Sequence, residues 1–289
     1  MLNPGTIVSA KIIDHNEQAD FAQVDGQTLQ VISEEKYATD QEITGMVYEN
    51  QQGQWCLQVK LPEAGLESYG TGEVVQIRRD LGVFVNVGLV DKDVVVSLDE
   101  LPLMHTLWPQ VGDQLTVNLS YDKKQRLWAH LATDEYFKEH ARFSREFTRN
   151  ETVSGRIYLT KKVGSFLKLD DQRLAFVHYT ERQDEPHIGQ AVSGRVIGLT
   201  QDGRLSISLK PLAYEEIADD AKMIMAVLQR APEFHIDFQD KSDPSAIKEY
   251  FGISKGAFKR ALGSLLKLGY ITTDLNGTTL TAKGQGYHE

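Results

Sequence analysis

Residues 72–88, GEVVQIRRDLGVFVNVG, followed by VVVSLDEL at 94–101 and VGDQLTVNLSYDKKQRLWAHL at 111–131, decide how the chain is read. They hold five short β-rich segments separated by Gly and Asp turns. Five strands in so short a stretch is the size of a small OB barrel.

The order of parts is more telling than the strand count. Gly72, Val74 and Val75 lead; Gly82-Val83-Phe84-Val85 follows; a short strand ends in Glu100-Leu101; Val111-Gly112-Asp113 and a basic turn precede an alternating strand. This order resembles the S-one repeat, an RNA-binding OB module. It recurs at 155–210, where GRIYLTKKVGSFLKLD matches the opening, LAFVHYTE the middle and IGQAVSGRVIGLTQDGRLSISLK the close. A degenerate copy begins at Gly5: it keeps Gly5-Thr6-Ile7-Val8 and a closing strand around Ile43 and Gly45, but lacks the glycine before Phe21.

The chain has 289 residues and no apolar run approaching the ~20 residues a membrane helix needs. The start at MLNPGTIVSAKIIDH enters a strand-like alternation without the features of a secretion signal. A single cysteine, Cys56, leaves no internal disulfide or Cys-x-x-Cys motif, so a reducing, cytoplasmic setting is expected. The net charge of −10 argues against indiscriminate nucleic-acid binding. The charge is uneven, however. Residues 1–62 hold three basic and nine acidic side chains, residues 151–212 nine and seven, and residues 241–269 six and two, so any nucleic acid is expected toward the C-terminal half.

Pro62-Glu63-Ala64-Gly65 reads as a linker after the first barrel. Between the second and third barrels, residues 134–150 place Tyr136, His140, Phe143, Ser144 and Phe147 at helical spacing, which predicts a connecting helix packed on a barrel. Beyond Lys210 the period changes. Ile217, Ala221, Ile224, Met225 and Leu228 form the stripe of one helix. Asp243-Pro244 opens a second helix, stopped at Gly252. Ser254 caps a third, with Phe258, Leu262, Leu265 and Leu266 inward and Gly269 at its end. A hairpin around Asn276-Gly277 follows. Three helices and a hairpin resemble a winged helix, whose recognition helix would begin at Ser254 and present Lys259, Arg260 and Lys267.

The fold expected is therefore mainly β with a small α+β end. Three consecutive five-stranded OB barrels of S-one type are followed by a winged helix. The expected divisions are 1–62, 68–133, the connecting helix 134–150, 151–211 and 212–289. This ordered set resembles the conserved virulence factor B family of bacteria, RNA-binding regulators of gene expression. By that resemblance, Phe166, His178 and Arg204 form the binding face of the third barrel, with Lys161 and Lys162 expected on the same strand. Phe84, Arg78 and Arg126 stand at comparable places in the second, where Leu81 and Ser97 replace a second aromatic and the histidine, so weaker or different binding is expected there. In the first barrel only Phe21 remains, without a basic partner. The implied partner is single-stranded RNA, held by the third barrel and the winged helix, with DNA favoured less.

No phosphate-binding loop and no H-E-x-x-H occurs, and the eight histidines lack metal-ligand spacing, so neither a metal nor a cofactor is expected. Gly252-Ile253-Ser254-Lys255-Gly256 fits G-x-S-x-G, but a nucleophile elbow needs a strand entering the motif, and Ser254 reads as an N-cap. The expected function is non-catalytic. The alternative is a scaffold, since the acidic first barrel suits a basic protein of the transcription or translation machinery. A nuclease is favoured least, for lack of residues to build one.

Overall fold

The computed structural model describes residues 2–17, 19–144, 146–210 and 219–286. Three closed barrels account for the first of two units, residues 1–210. The first barrel comprises β1 (Ile7–His15), β2 (Asp20–Val24), β3 (Gln27–Ile32), β4 (Glu42–Glu49) and β5 (Trp55–Gln58). The second comprises β6 (Gly70–Arg78), β7 (Gly82–Asn86), β8 (Val94–Ser97), β9 (Gln114–Tyr121) and β10 (Leu127–Leu131). The third comprises β11 (Thr152–Lys161), β12 (Gly164–Leu169), β13 (Leu174–His178), β14 (Ala191–Leu199) and β15 (Leu205–Ser208). In every barrel the strands follow one cyclic order, first-second-third-fifth-fourth, and only the third and fifth pair parallel.

Alternation explains the cores. Along β13, Ala175 and Val177 point inward while Phe176 and His178 point out, and with Ile157, Leu167, Leu169, Val196, Leu205 and Ile207 they fill the third barrel. Each of the Val, Leu and Ile side chains contributes roughly 1.5–3 kcal/mol on burial. Gly82 and Gly164 open β7 and β12 with φ of 138° and 153°. A Cβ there would lie 2.0 Å from the Val96 carbonyl oxygen and 2.1 Å from that of Val177, so close strand approach demands glycine. The first barrel has Ala19 in that place, and its β2–β3 ladder ends at Phe21 opposite Gln30.

The first two barrels share a core. Met46, Tyr48 and Cys56, on the outer side of β4 and β5, join the same buried cluster as Val83, Val94 and Leu119. The Tyr48 hydroxyl donates to the Val90 carbonyl at 2.8 Å, and Gln58 Nε2 donates to that of Gly88 at 2.8 Å. Burial pushes the Tyr48 phenol far above its ordinary value and the Cys56 thiol up to about 11. The segment read as a linker belongs to this packing: Ala64 is fully buried, and Gly65 accepts a backbone bond from Leu119.

The connecting helix is shorter than the sequence predicts. It spans α1 (Asp134–His140), capped by Thr133, and the chain turns extended at Ala141. The Arg142 N–H donates instead to the Gln172 carbonyl of the third barrel, which draws the backbone out of the helix before Phe143, Ser144 and Phe147. The buried residue of α1 is Phe137, packed with Ala132 and Leu174.

The second unit holds α2 (Asp219–Arg230), β16 (His235–Ile236), α3 (Pro244–Phe251), α4 (Lys255–Lys267), β17 (Ile271–Thr273), β18 (Thr278–Leu280) and α5 (Ala282–Gln285), with the sheet ordered β16-β18-β17. Ala221, Ile224, Met225 and Leu228 are buried as predicted, whereas Ile217 lies outside the described residues. Asp243 caps α3 by accepting from Ser245 N and Ala246 N, and Ser254 caps α4 by accepting from Ala257 N. Leu266, expected inward, is 42% exposed, because it sits one position past Leu265, about 100° further around the helix; Ala261 is buried with Phe258 and Leu262. At the hairpin only Gly277 takes positive φ, and Asp274 organises the turn by accepting from Asn276 N and Gly277 N.

Candidate nucleic-acid interface

One irregularity places the same residue on the outside of each barrel. The pairing of first and second strands slips between Ile12 and Asp14, between Val74 and Gln76, and between Ile157 and Leu159. Beyond each slip, Asp14 faces Phe21, Gln76 faces Phe84 and Leu159 faces Phe166. The three phenylalanines are thus register equivalents. The next strand brings Gln30, Val95 or Phe176 beside them, and the fifth strand adds Cys56, Trp128 or Ser206.

These neighbours make the three faces different. In the first barrel Asp14 sets a carboxylate opposite Phe21, and Cys56 is buried under the second barrel. The second barrel carries half-buried Phe84 and Trp128. Its Arg126, 60% exposed, lies with its guanidinium carbon 5.5 Å from the Trp128 ring centre. Asp122 holds Arg126 at 2.6 Å and accepts from Trp128 Nε1 at 3.3 Å. Hydrogen bonding from Arg126 holds the Asp122 carboxyl far below the usual carboxylate range. Arg78 pairs with Asp80 at 2.6 Å on the exposed hairpin.

The third face is aromatic and partly closed. Phe166 lies 5.0 Å from Phe176, Phe176 lies 6.3 Å from His178, and His178 lies 4.4 Å from exposed Tyr179. Lys161 reaches within 5.6 Å of the Phe166 ring, and Lys162 is exposed beside it. Arg204 lies over the same ring at 4.8 Å, but it is not the free surface cation that the sequence suggests. Its side chain is 7% exposed and tied to Asp134 of α1 at 2.6 Å and to Asp202 at 2.8 Å. The Tyr158 hydroxyl donates to the same Asp134 oxygen at 2.6 Å, and Lys138 pairs with the other at 2.8 Å. Burial pushes the Asp134 carboxyl up, but the bonds from Lys138, Tyr158 and Arg204 outweigh it and bring it down to about 2. Phe137 stacks on Tyr158 at 4.0 Å, so α1 covers one margin of this face.

His178 also shapes the local backbone, since its Nδ1 accepts from the Thr180 N–H and caps the short 3-10 turn of Tyr179–Glu181. Ser97 does the same for the turn Leu98–Glu100, which is why serine can stand where the third barrel has histidine. In the winged helix, Lys259, Arg260 and Lys267 are exposed on α4, and none has an ion-pair partner among the described residues. Gly256 and Gly263 interrupt the same face; a Cβ at Gly263 would meet nothing within 4 Å. Helix packing therefore does not account for that glycine.

Sequence reasoning missed Trp128. Its signal was the alternation of Leu127-Trp128-Ala129-His130-Leu131, which sets Trp128 and His130 on the side opposite buried Leu127 and Ala129.

Three family models match in order: the CvfB first S1-like domain over residues 69–130, the second domain of virulence regulatory factor CvfB over 137–211, and the CvfB-like winged helix domain over 222–280. The chain belongs to the conserved virulence factor B family. Within that family, conserved virulence factor B of Staphylococcus epidermidis is 36% identical over 256 residues, 88% of this chain and 85% of the relative. A Bacillus subtilis relative, the uncharacterized protein YitL, is 34% identical over 286 residues, 98% and 95% of the two chains, so the likeness includes the first barrel. The crystal structure of a Streptococcus pneumoniae multidomain protein with nucleic acid binding domains superposes with a TM-score of 0.71 at 40% identity, covering 96% of this chain and 99% of that one.

Proposed function

We propose that this protein is a non-catalytic regulator of bacterial gene expression that binds single-stranded RNA on the outer faces of its second and third barrels, with the winged helix adding cationic contacts. One observation carries the reading. A large aromatic ring stands outward at the same register position of each barrel, and in the second and third it is joined by further rings and cations. Outward rings flanked by Lys or Arg are what single strands use: bases stack for about 1–3 kcal/mol each, and the cations follow phosphate.

The faces contribute unequally. Phe84 and Trp128 form the open platform, with Arg126 beside it. Phe166, Phe176 and His178 form the longer one, flanked by Lys161 and Lys162, while Arg204 orders Phe166 from within. The first barrel stands aside, because Asp14 opposes phosphate and its neighbouring face is buried. Lys259, Arg260 and Lys267 can each take a phosphate without breaking an ion pair among the described residues. The domain types named for the pneumococcal relative support nucleic acid as the ligand class.

Fluorescence anisotropy across a salt series, with labelled single-stranded RNA, the matching DNA and duplex RNA, tests this. RNA single strands are expected to bind best, with log affinity falling against log salt by about 0.7 per phosphate neutralised. Phe166→Ala and Trp128→Ala are each expected to weaken binding. No binding at low salt, or equal binding by both variants and wild type, overturns the reading.

A further inference from the structure

Between the second and third barrels lies a cavity of about 260 Å³ that the strand-binding reading leaves unused. Gln114, Leu115 and Thr116 of β9 line one side; Arg156, Ile157 and Lys168 of β11 and β12 line the other, and Phe137 of α1 borders it. Ligand sites in proteins favour such junctions, and they combine apolar walls with a few convergent polar groups.

Two features of the wall point to an anion. Arg156 and Lys168 are directly opposite partners on neighbouring strands, both half-buried and both facing outward between core residues Ile157, Leu167 and Leu169. Like charges so placed repel, and burial weakens the solvent screening that would relieve them. Among the described residues neither has an ion-pair partner. Arg156 makes one long hydrogen bond, 3.4 Å to the Gly189 carbonyl, and Asp170, at the same opening, pairs with neither cation. The rest of the lining is suited to an organic body: half-buried Leu131 and Tyr158 offer apolar and aromatic surface, while Gln114, Thr116 and Gln172 offer neutral donors and acceptors.

We propose that this inter-barrel cavity binds a nucleoside monophosphate group, with its phosphate between Arg156 and Lys168 and its base against Leu131, Phe137 and Tyr158. The group can be a free mononucleotide or the 5′-terminal nucleotide of a strand. The site stands independently of the barrel faces, so failure of long single strands to bind would not touch it.

The test is calorimetric titration of the full chain with AMP, CMP, GMP, UMP and inorganic phosphate, and with a tetranucleotide carrying or lacking a 5′-phosphate. At least one mononucleotide is expected to bind one-to-one and at least ten-fold tighter than inorganic phosphate. Arg156→Gln and Lys168→Met are each expected to weaken it ten-fold or more while the unliganded variants melt no lower than wild type. A 5′-phosphorylated tetranucleotide binding tighter than any mononucleotide assigns the site to a strand end; weaker binding assigns it to the free nucleotide. The proposal is overturned if no mononucleotide saturates, if inorganic phosphate binds as well, if the variants bind as wild type does, or if they melt lower, which would mean that the cations already have partners within the fold.

Discussion

Asp134→Asn tests the contact that fixes Arg204 over Phe166. The carboxylate holds Arg204 and Tyr158 at 2.6 Å and Lys138 at 2.8 Å, and its side chain is 14% exposed. Breaking a buried ion pair from one side costs about 3–5 kcal/mol, and the retained Asp202 partner, half exposed, lowers that. Linkage gives a second route to the magnitude. A carboxyl whose pKa falls from 3.8 to about 2 on folding contributes about 2.5 kcal/mol at neutral pH. Both routes put the loss at about 2–3 kcal/mol, or roughly 5–10 °C for a unit of this size. Because the folded pKa is depressed, the contribution is complete above the unfolded value and disappears as pH falls through about 2. Urea titrations of wild type and variant should therefore differ by a constant amount from pH 7 to 5 and converge below pH 4. A difference under about 0.5 kcal/mol at pH 7, or one that widens with acid, would refute the role given to Asp134.

Phe84→Ala and Trp128→Ala should each cost about 1–3 kcal/mol of single-strand affinity by anisotropy, and titration with RNA should quench fluorescence in wild type more than in Trp128→Phe. Replacing Lys259, Arg260 and Lys267 together by Gln should shallow the log-log salt slope by about 2 while leaving the melting temperature unchanged, since all three are exposed and form no ion pair among the described residues. Gly263→Ala should stabilise the winged helix by about 0.5–1 kcal/mol in thermal melts, since the site is open and helical, and should weaken nucleic-acid binding if the helix backbone is approached closely.

Much of the architecture was legible because the signals are local. The Gly-x-aromatic opening of the second and third repeats marks a place where two strands come too close for a Cβ, and Gly82 and Gly164 meet that need. Caps at Asp243 and Ser254 are equally local. What escaped depended on contacts distant in sequence. Nothing around Arg204 announces that Asp134, seventy residues earlier, neutralises it. Nor does the periodicity of 134–150 reveal that the Gln172 carbonyl captures the Arg142 N–H. Trp128 escaped for a different reason: the third repeat has Ser206 at that register, so aligning the repeats hides an aromatic that only one of them carries.

The shared core of the first two barrels bears on how the protein can be dissected. Cutting the chain after residue 62 would strip Met46, Tyr48 and Cys56 from the second barrel and leave its apolar neighbours facing water. Such a fragment would aggregate or unfold, and lost binding would then measure solubility. Point substitutions on Phe21 and Asp14 leave that seam intact. Hydrogen exchange should accordingly find barrels one and two opening together as one cooperative block, so the repeat visible in the sequence is not the unit in which the molecule comes apart.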